Sequence, residues 1–219
     1  MTLRLIVFDC DGTLVDSQAA IIHAMREAFD AADLPAPSDE EVRGIVGLSV
    51  PQAVASLAPS QPLETLSVID AEFRRASIAL RAADPATNTK FYDGARDCLD
   101  HLNNAGELLA VATGKARRGL DHLLDQADLR SHFVATQSAD DAPSKPHPGM
   151  LQNCARLSGA DRMVMIGDTS FDMQMAKNFG CHAIGVTWGY HSNALLLDSG
   201  ADVLVNDFDE LKVALSEWE

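Results

Sequence analysis

Short apolar runs alternate along the chain with longer stretches in which apolar residues return every three or four positions. The runs are residues 3–8, 108–112, 133–135, 163–166, 183–186 and 203–205. Each is too short for an ordinary helix and is followed by Gly, Asp, Thr or Ser, so each reads as a buried strand. Helical patterns lie between them, which predicts a parallel sheet covered by helices on both faces.

One interval breaks this rhythm. Between Ser17 and Lys90 no strand pattern occurs. Ala20, Ile21, Ala24, Met25, Ala28 and Phe29 recur at helical spacing. Ser38 with Glu41 three residues later predicts a capped helix start. Residues 63–80 are helical again, and Pro35, Pro37, Pro51, Pro59, Pro62 and Pro85 punctuate the segments. The expected fold is α/β, a doubly wound parallel sheet formed by residues 1–16 and 91–219. An α-helical domain of residues 17–90 is inserted after the first strand, with hinges expected at 15–17 and 88–93.

Composition narrows the partners. With 219 residues, 47% of them apolar, the chain has room for a sizeable core and a modest insert. A formal charge of -15 disfavours nucleic acid and anionic membrane surfaces. It also means that any site for an anionic substrate must be made locally positive. No run approaches the roughly 18 apolar residues of a membrane span. The apolar start is interrupted by Asp9 and reads as a strand rather than a leader. Cys10, Cys98, Cys154 and Cys181 fit no zinc spacing, so free thiols in a reducing cytoplasm are expected.

Four sets of polar residues fall where the predicted strands end. The first strand runs into Asp9-Cys10-Asp11-Gly12-Thr13, with two carboxylates one residue apart on the same face of an extended chain. Held close, they repel unless a proton or a cation sits between them. The second strand ends at Thr113-Gly114, donors suited to phosphate oxygens at a helix start, although an ordinary turn has the same sequence. Lys145 is followed by Pro146, His147 and Pro148, which restrain the loop that carries its ammonium. Asp168 ends the fourth strand, and Asp172 follows on the first turn of a helix, where it either caps the helix or helps to hold a metal.

The run from Asp9 to Ser17 resembles the first motif of the haloacid dehalogenase-like (HAD) phosphohydrolases. Thr113, Lys145-Pro146 and Asp168 to Asp172 resemble the later motifs, in the family's order. The helical insert stands where that family carries its first type of cap, so the resemblance spans essentially the whole chain. Segment 42–49, with Arg43, Gly44 and Gly47, is similar to a cap segment of the phosphoglycolate phosphatase-like branch. The resemblance implies that Asp9 attacks phosphorus and that Asp11 is the general acid and base. Thr113 and Gly114 would hold the phosphoryl group, and Lys145 would offset its charge. It also implies a Mg²⁺ ion held by Asp9, the backbone carbonyl of Asp11 and Asp168, with Asp172 behind them orienting a water or Lys145.

Several residues carry two readings or a plain one. Arg43 either binds a second anionic group of the substrate or is a surface arginine. Lys115 is expected to be a solvated surface residue, His147 a loop residue, and His23 a packed or exposed histidine rather than a catalyst. The expected function is a Mg²⁺-dependent phosphatase of a small phosphorylated metabolite, phosphoglycolate-like or a sugar phosphate, working as a monomer or homodimer. Asp11 argues against haloalkanoate dehalogenation, and the absence of lysine between Asp16 and Thr89 argues against a Schiff-base phosphonate hydrolase. A phosphosugar mutase of the same fold stays open. So, from other classes, do a receiver-like phospho-Asp signalling protein and a non-catalytic binding protein.

Overall fold

The computed structural model of the protein describes residues 3–84 and 90–218. The predicted hinge residues 88 and 89 therefore lie outside the described part. Strands β1 (Arg4–Phe8), β2 (Leu108–Ala112), β3 (Phe133–Gln137), β4 (Arg162–Gly167), β5 (His182–Val186) and β6 (Val203–Val205) form one sheet. Its order is β3-β2-β1-β4-β5-β6, and every pairing is parallel. The first strand is thus central, flanked by β2 and β4, so the sheet is wound outward in both directions from it.

The period-2 geometry of β1 divides the core. Ile6 and Phe8 face one layer with helices α5 (Ala95–Asn104), α6 (Arg117–Gln126) and α10 (Phe208–Glu217). Leu5 and Val7 face the other, with α7 (Gly149–Ser158), α8 (Ser170–Phe179) and α9 (Asn193–Asp198). All four side chains are fully buried, which is why this strand has no alternating polar positions.

The chain between β1 and β2 opens with four helices, α1 (Gln18–Asp30), α2 (Asp39–Arg43), α3 (Val50–Leu57) and α4 (Leu63–Ala83). They close around a hydrophobic cluster of their own, with Ile22, Met25, Phe29, Val42, Val54 and Ile69 at its centre. Ser38 and Glu41 form the reciprocal capping box that their spacing predicts at the start of α2. The two chain crossings at the base of this helical unit lie side by side. Asp16 N–H donates to the Lys90 carbonyl at 2.9 Å, and Val15 bridges Phe91 antiparallel.

The sheet differs from the sequence pattern at its edges. Strand β3 runs two residues further, through Thr136 and Gln137, because polar partners satisfy it there: Arg117 donates to the Thr136 carbonyl and hydroxyl, and Thr113 N–H donates to the Gln137 carbonyl. Helix α4 likewise continues past residue 80 to Ala83.

Candidate active site

Parallel strands deliver their carboxyl ends to one edge of the sheet, and the polar sets meet there. Asp9 leaves β1, Asp168 leaves β4, and Asp172 projects from the first turn of α8. One carboxylate oxygen from each of the three lies within 4.8 Å of the other two. All three side chains are fully buried. Into this cluster reaches Lys145, itself without solvent exposure, from the loop between β3 and α7. Its Nζ donates to Asp172 Oδ1 at 2.6 Å and lies 3.0 Å from Asp9 Oδ2, off the hydrogen-bonding direction.

Local structure explains each placement. Gly12 has φ +85, and a Cβ there would overlap the Asp168 carboxylate and come within 2.5 Å of Tyr190 Cε2. Only glycine lets the chain turn away from β1 so close to β4. Thr13 Oγ1 donates to Asp168 Oδ1 at 2.7 Å, and Tyr190 N–H donates to Asp168 Oδ2 at 3.0 Å. Thr169 caps α8: its N–H and its hydroxyl both donate to Asp172 Oδ2. Asp172 is therefore at once a cap for α8 and a member of the cluster, so its two sequence readings coexist. Asp9 Oδ1 accepts the Cys10 N–H at 2.7 Å, while Asp9 Oδ2 is buried without a hydrogen bond.

The electrostatics show a deficit of positive charge. Burial, opposed by Lys145 and reinforced by Asp172 and Asp11, pushes Asp9 up to about 7. Burial and then Asp172 and Asp9 raise Asp168 well above the usual carboxylate range. Burial would depress Lys145, but Asp172 and Asp9 outweigh it and hold its ammonium charged. Three buried carboxylates with one ammonium form a set that a hard divalent cation would complete, since such ions take oxygen ligands and invert this pKa logic.

Asp11 points away from that cluster, toward the helical unit. Its Oδ1 accepts from the Ser17 hydroxyl at 2.5 Å and is ion-paired with Lys115 Nζ at 2.7 Å. Lys115 is not the solvated surface residue its sequence position suggests: its side chain is only 12% exposed. The loop between β2 and α6 carries the lysine, and the Asp11 carboxylate offsets the cost of burying it. Thr113 is buried beside it, with its hydroxyl accepting the Lys115 N–H at 3.3 Å. His147 is a loop residue as expected, its Nδ1 accepting the Gly149 N–H. His23 is exposed beside Glu27.

The helical unit rests on this edge through segment 45–49. A Cβ on Gly114 would overlap the Gly47 carbonyl and lie 2.7 Å from that of Leu48, and Ser49 N–H donates to Ser144 Oγ at 2.8 Å. A cavity of about 280 Å³ lies between the two parts, bordered by Asp11, Gly114 and Lys115 on one side and by α1, segment 45–50 and α4 on the other. Arg43 is not part of its wall. The arginine sits at the end of α2, and its Nε donates to Gln18 Oε1 at 3.1 Å. The cations that do border the cavity are Arg74, Arg81, Lys115 and Arg118. The sequence reading named none of them as a site residue.

Comparison with known proteins gives a consistent result. The model of the haloacid dehalogenase-like hydrolase family matches residues 6–186. A protein of Dickeya dadantii (strain 3937) named "Probable phosphatase IndB" is 35% identical over 211 residues, covering 94% of this chain and 91% of that protein. A phosphoglycolate phosphatase of Vibrio parahaemolyticus is 30% identical over 216 residues, covering 95% of this chain and 94% of that protein. Among solved structures, a predicted phosphatase from Clostridium acetobutylicum superposes with a TM-score of 0.85 at 26% identity, covering 99% of this chain and all of the other. A hydrolase from Pseudomonas syringae shares the fold, with a TM-score of 0.85 at 24% identity, covering all of this chain and 99% of the other.

Proposed function

The chain belongs to the haloacid dehalogenase-like hydrolases, in their phosphoglycolate phosphatase-like branch, and from that premise we propose that it hydrolyses a small organic phosphomonoester through an aspartyl-phosphate on Asp9, with Mg²⁺ as cofactor. The observation that carries this reading is the buried trio Asp9, Asp168 and Asp172 facing the single ammonium of Lys145.

Asp9 is the acceptor of the phosphoryl group. Its Oδ1 accepts the Cys10 N–H, and its Oδ2 faces the Lys145 ammonium at 3.0 Å. Attack requires the ionised form, so the proton that burial favours on Asp9 must be replaced by positive charge. Lys145 supplies part of that charge. Asp9, Asp168 and the Asp11 backbone carbonyl would hold Mg²⁺, with Asp172 beside them. The bound ion would neutralise charge on the transferred group.

Asp11 stands two residues from Asp9, with its side chain turned toward the cavity and held by Ser17 and Lys115. In this reading it gives a proton to the leaving oxygen and then takes one from the water that hydrolyses Asp9-phosphate. Such proton transfer contributes about 10²–10⁴-fold. Phosphate-monoester hydrolysis needs up to about 10²¹-fold, so positioning and charge stabilisation must supply most of the rest. Thr113 and Gly114, at the end of β2, would bind the phosphoryl oxygens, and Lys145 would offset their charge.

Residues 17–90 act as a cap in this scheme. The adjacent crossings at Asp16 and Lys90 suit a hinge, and the contact of segment 45–49 with Gly114 suits a closed state that excludes water. Four unpaired cysteines support a cytoplasmic location.

The test is phosphate release from a panel of phosphorylated metabolites, with Mg²⁺ and with chelator, using Asp9→Asn as control. The expected result is Mg²⁺-dependent release that Asp9→Asn abolishes. Equal turnover by the variant would remove Asp9 as nucleophile.

A further inference from the structure

The cavity above Asp11 has a composition that a two-carbon acid would not use. Its volume is about 280 Å³. Much of the wall is apolar, built from Ile21, Met25, Val50, Phe73 and Ile78 of the helical unit. At one side stand Arg81, from the last turn of α4, and Arg118, from the first turn of α6.

These two arginines differ from the other cations of the cavity. Among the described residues, Arg74 is tied to Asp70 and Lys115 to Asp11, whereas Arg81 and Arg118 have no carboxylate at ion-pair distance. They come from opposite sides of the cleft, yet are near enough that Arg118, after burial, lowers the proton affinity of Arg81. Two guanidinium groups that converge on one cavity favour an anion between them, since their forks match carboxylate and phosphate geometry. Of the two acidic residues of the wall, Asp11 is paired with Lys115, and Asp140 Oδ2 accepts the Arg117 N–H at the start of α6.

We propose that the physiological substrate is a phosphomonoester whose leaving group has an apolar body and ends in a second anionic group, which Arg81 and Arg118 bind together across the closed cleft. This rests on the phosphatase reading and adds the substrate class to it. The apolar body lies on the Phe73 and Ile78 wall of α4, and the distal anion completes the contact between α4 and α6. Only a substrate long enough to reach both arginines fastens the cap over the core.

The experiment compares kcat/KM for phosphooxy acids of two, four and six carbons with alkyl phosphates of the same lengths, and with α,ω-bisphosphates. In the wild-type protein the acid or bisphosphate should exceed its alkyl counterpart by roughly 10–100-fold at the longer lengths, as charge-assisted hydrogen bonds allow. A larger ratio for bisphosphates assigns a phosphate as the distal group, and a larger ratio for acids assigns a carboxylate. The double substitution Arg81→Ala/Arg118→Ala should bring the ratio close to one, and Arg81→Lys/Arg118→Lys should retain most of it. A ratio near one in the wild type, a ratio that survives the double substitution, or a best substrate of two carbons overturns the proposal while leaving a phosphatase. Turnover of none of these compounds overturns it together with the phosphatase reading.

Discussion

Replacing Lys145 by methionine keeps most of the stem and removes the one ammonium that faces three buried carboxylates. Lys145, Asp9, Asp168 and Asp172 are all shielded from solvent, so water cannot screen what remains. Breaking a buried ion pair in this way costs about 3–5 kcal/mol. For a chain of this size each kcal/mol moves Tm by about 2–4 °C, so Lys145→Met should lower Tm by roughly 6–20 °C in chelator. The cluster has one way to limit the loss, which is to bind a proton. Asp9 already titrates at about 7, and without the lysine the carboxylates hold protons more tightly still. The loss should therefore be smaller at pH 6 than at pH 8, and Mg²⁺ should restore part of it. Adding Asp172→Asn removes one negative charge along with the positive one, so the double variant should lose less than the sum of the single losses. Thermal denaturation at pH 6 and pH 8, with and without Mg²⁺, measures all of this. A loss below about 1 kcal/mol at pH 8, the scale of a surface ion pair, or strictly additive losses, would refute the account of a charge-deficient cluster.

Two further outcomes follow from the same geometry. Gly114→Ala puts a methyl against the Gly47 and Leu48 carbonyls, an overpacking of about 1–3 kcal/mol on the closed arrangement. Turnover should fall roughly 5- to 150-fold on every substrate while Tm shifts by only a few degrees; unchanged turnover would mean that the cap does not close against β2. The metal-free protein should lose stability as pH rises from about 4 to about 7. Asp9 has a folded value raised above its unfolded one, so the folded state binds the extra proton in that window and gives it up at the top of it. Mg²⁺ competes with that proton, so the rise in Tm on adding Mg²⁺ should grow with pH and level off above about 7; an increment independent of pH would contradict this.

The sequence made some parts of this site legible and hid others for physical reasons. Asp9 and Asp168 stand at the ends of apolar runs, and a parallel sheet brings such ends to one edge, so their meeting follows from pattern and topology together. Lys145 was marked by its prolines, and Asp172 by its distance from Asp168. A lysine just before a helix is usually solvated, and nothing local shows that the ammonium of Lys115 pairs with Asp11. Arg81 and Arg118 are ordinary helix-surface arginines along the chain. They become neighbours only because the helical unit rests on the sheet edge, a tertiary fact without a local signature. The glycines beside Arg43 suggest a close approach, but it is Gly47 that comes against Gly114 and Thr169, while the arginine itself turns back to Gln18. Strand β3 extends beyond its apolar run because Arg117 and Thr113 satisfy Thr136 and Gln137 there.

The most direct test of the central claim is to look for the phosphoryl group on the chain itself. Asp11→Asn should be mixed with p-nitrophenyl phosphate, whose leaving group needs little protonation, in the presence of Mg²⁺, then quenched in acid and mapped by peptide mass spectrometry. The account predicts one phosphoryl group on Asp9, absent when Asp9→Asn is added and absent when Mg²⁺ is chelated. Label on another residue, or rapid turnover with Asp9 never modified, would contradict it.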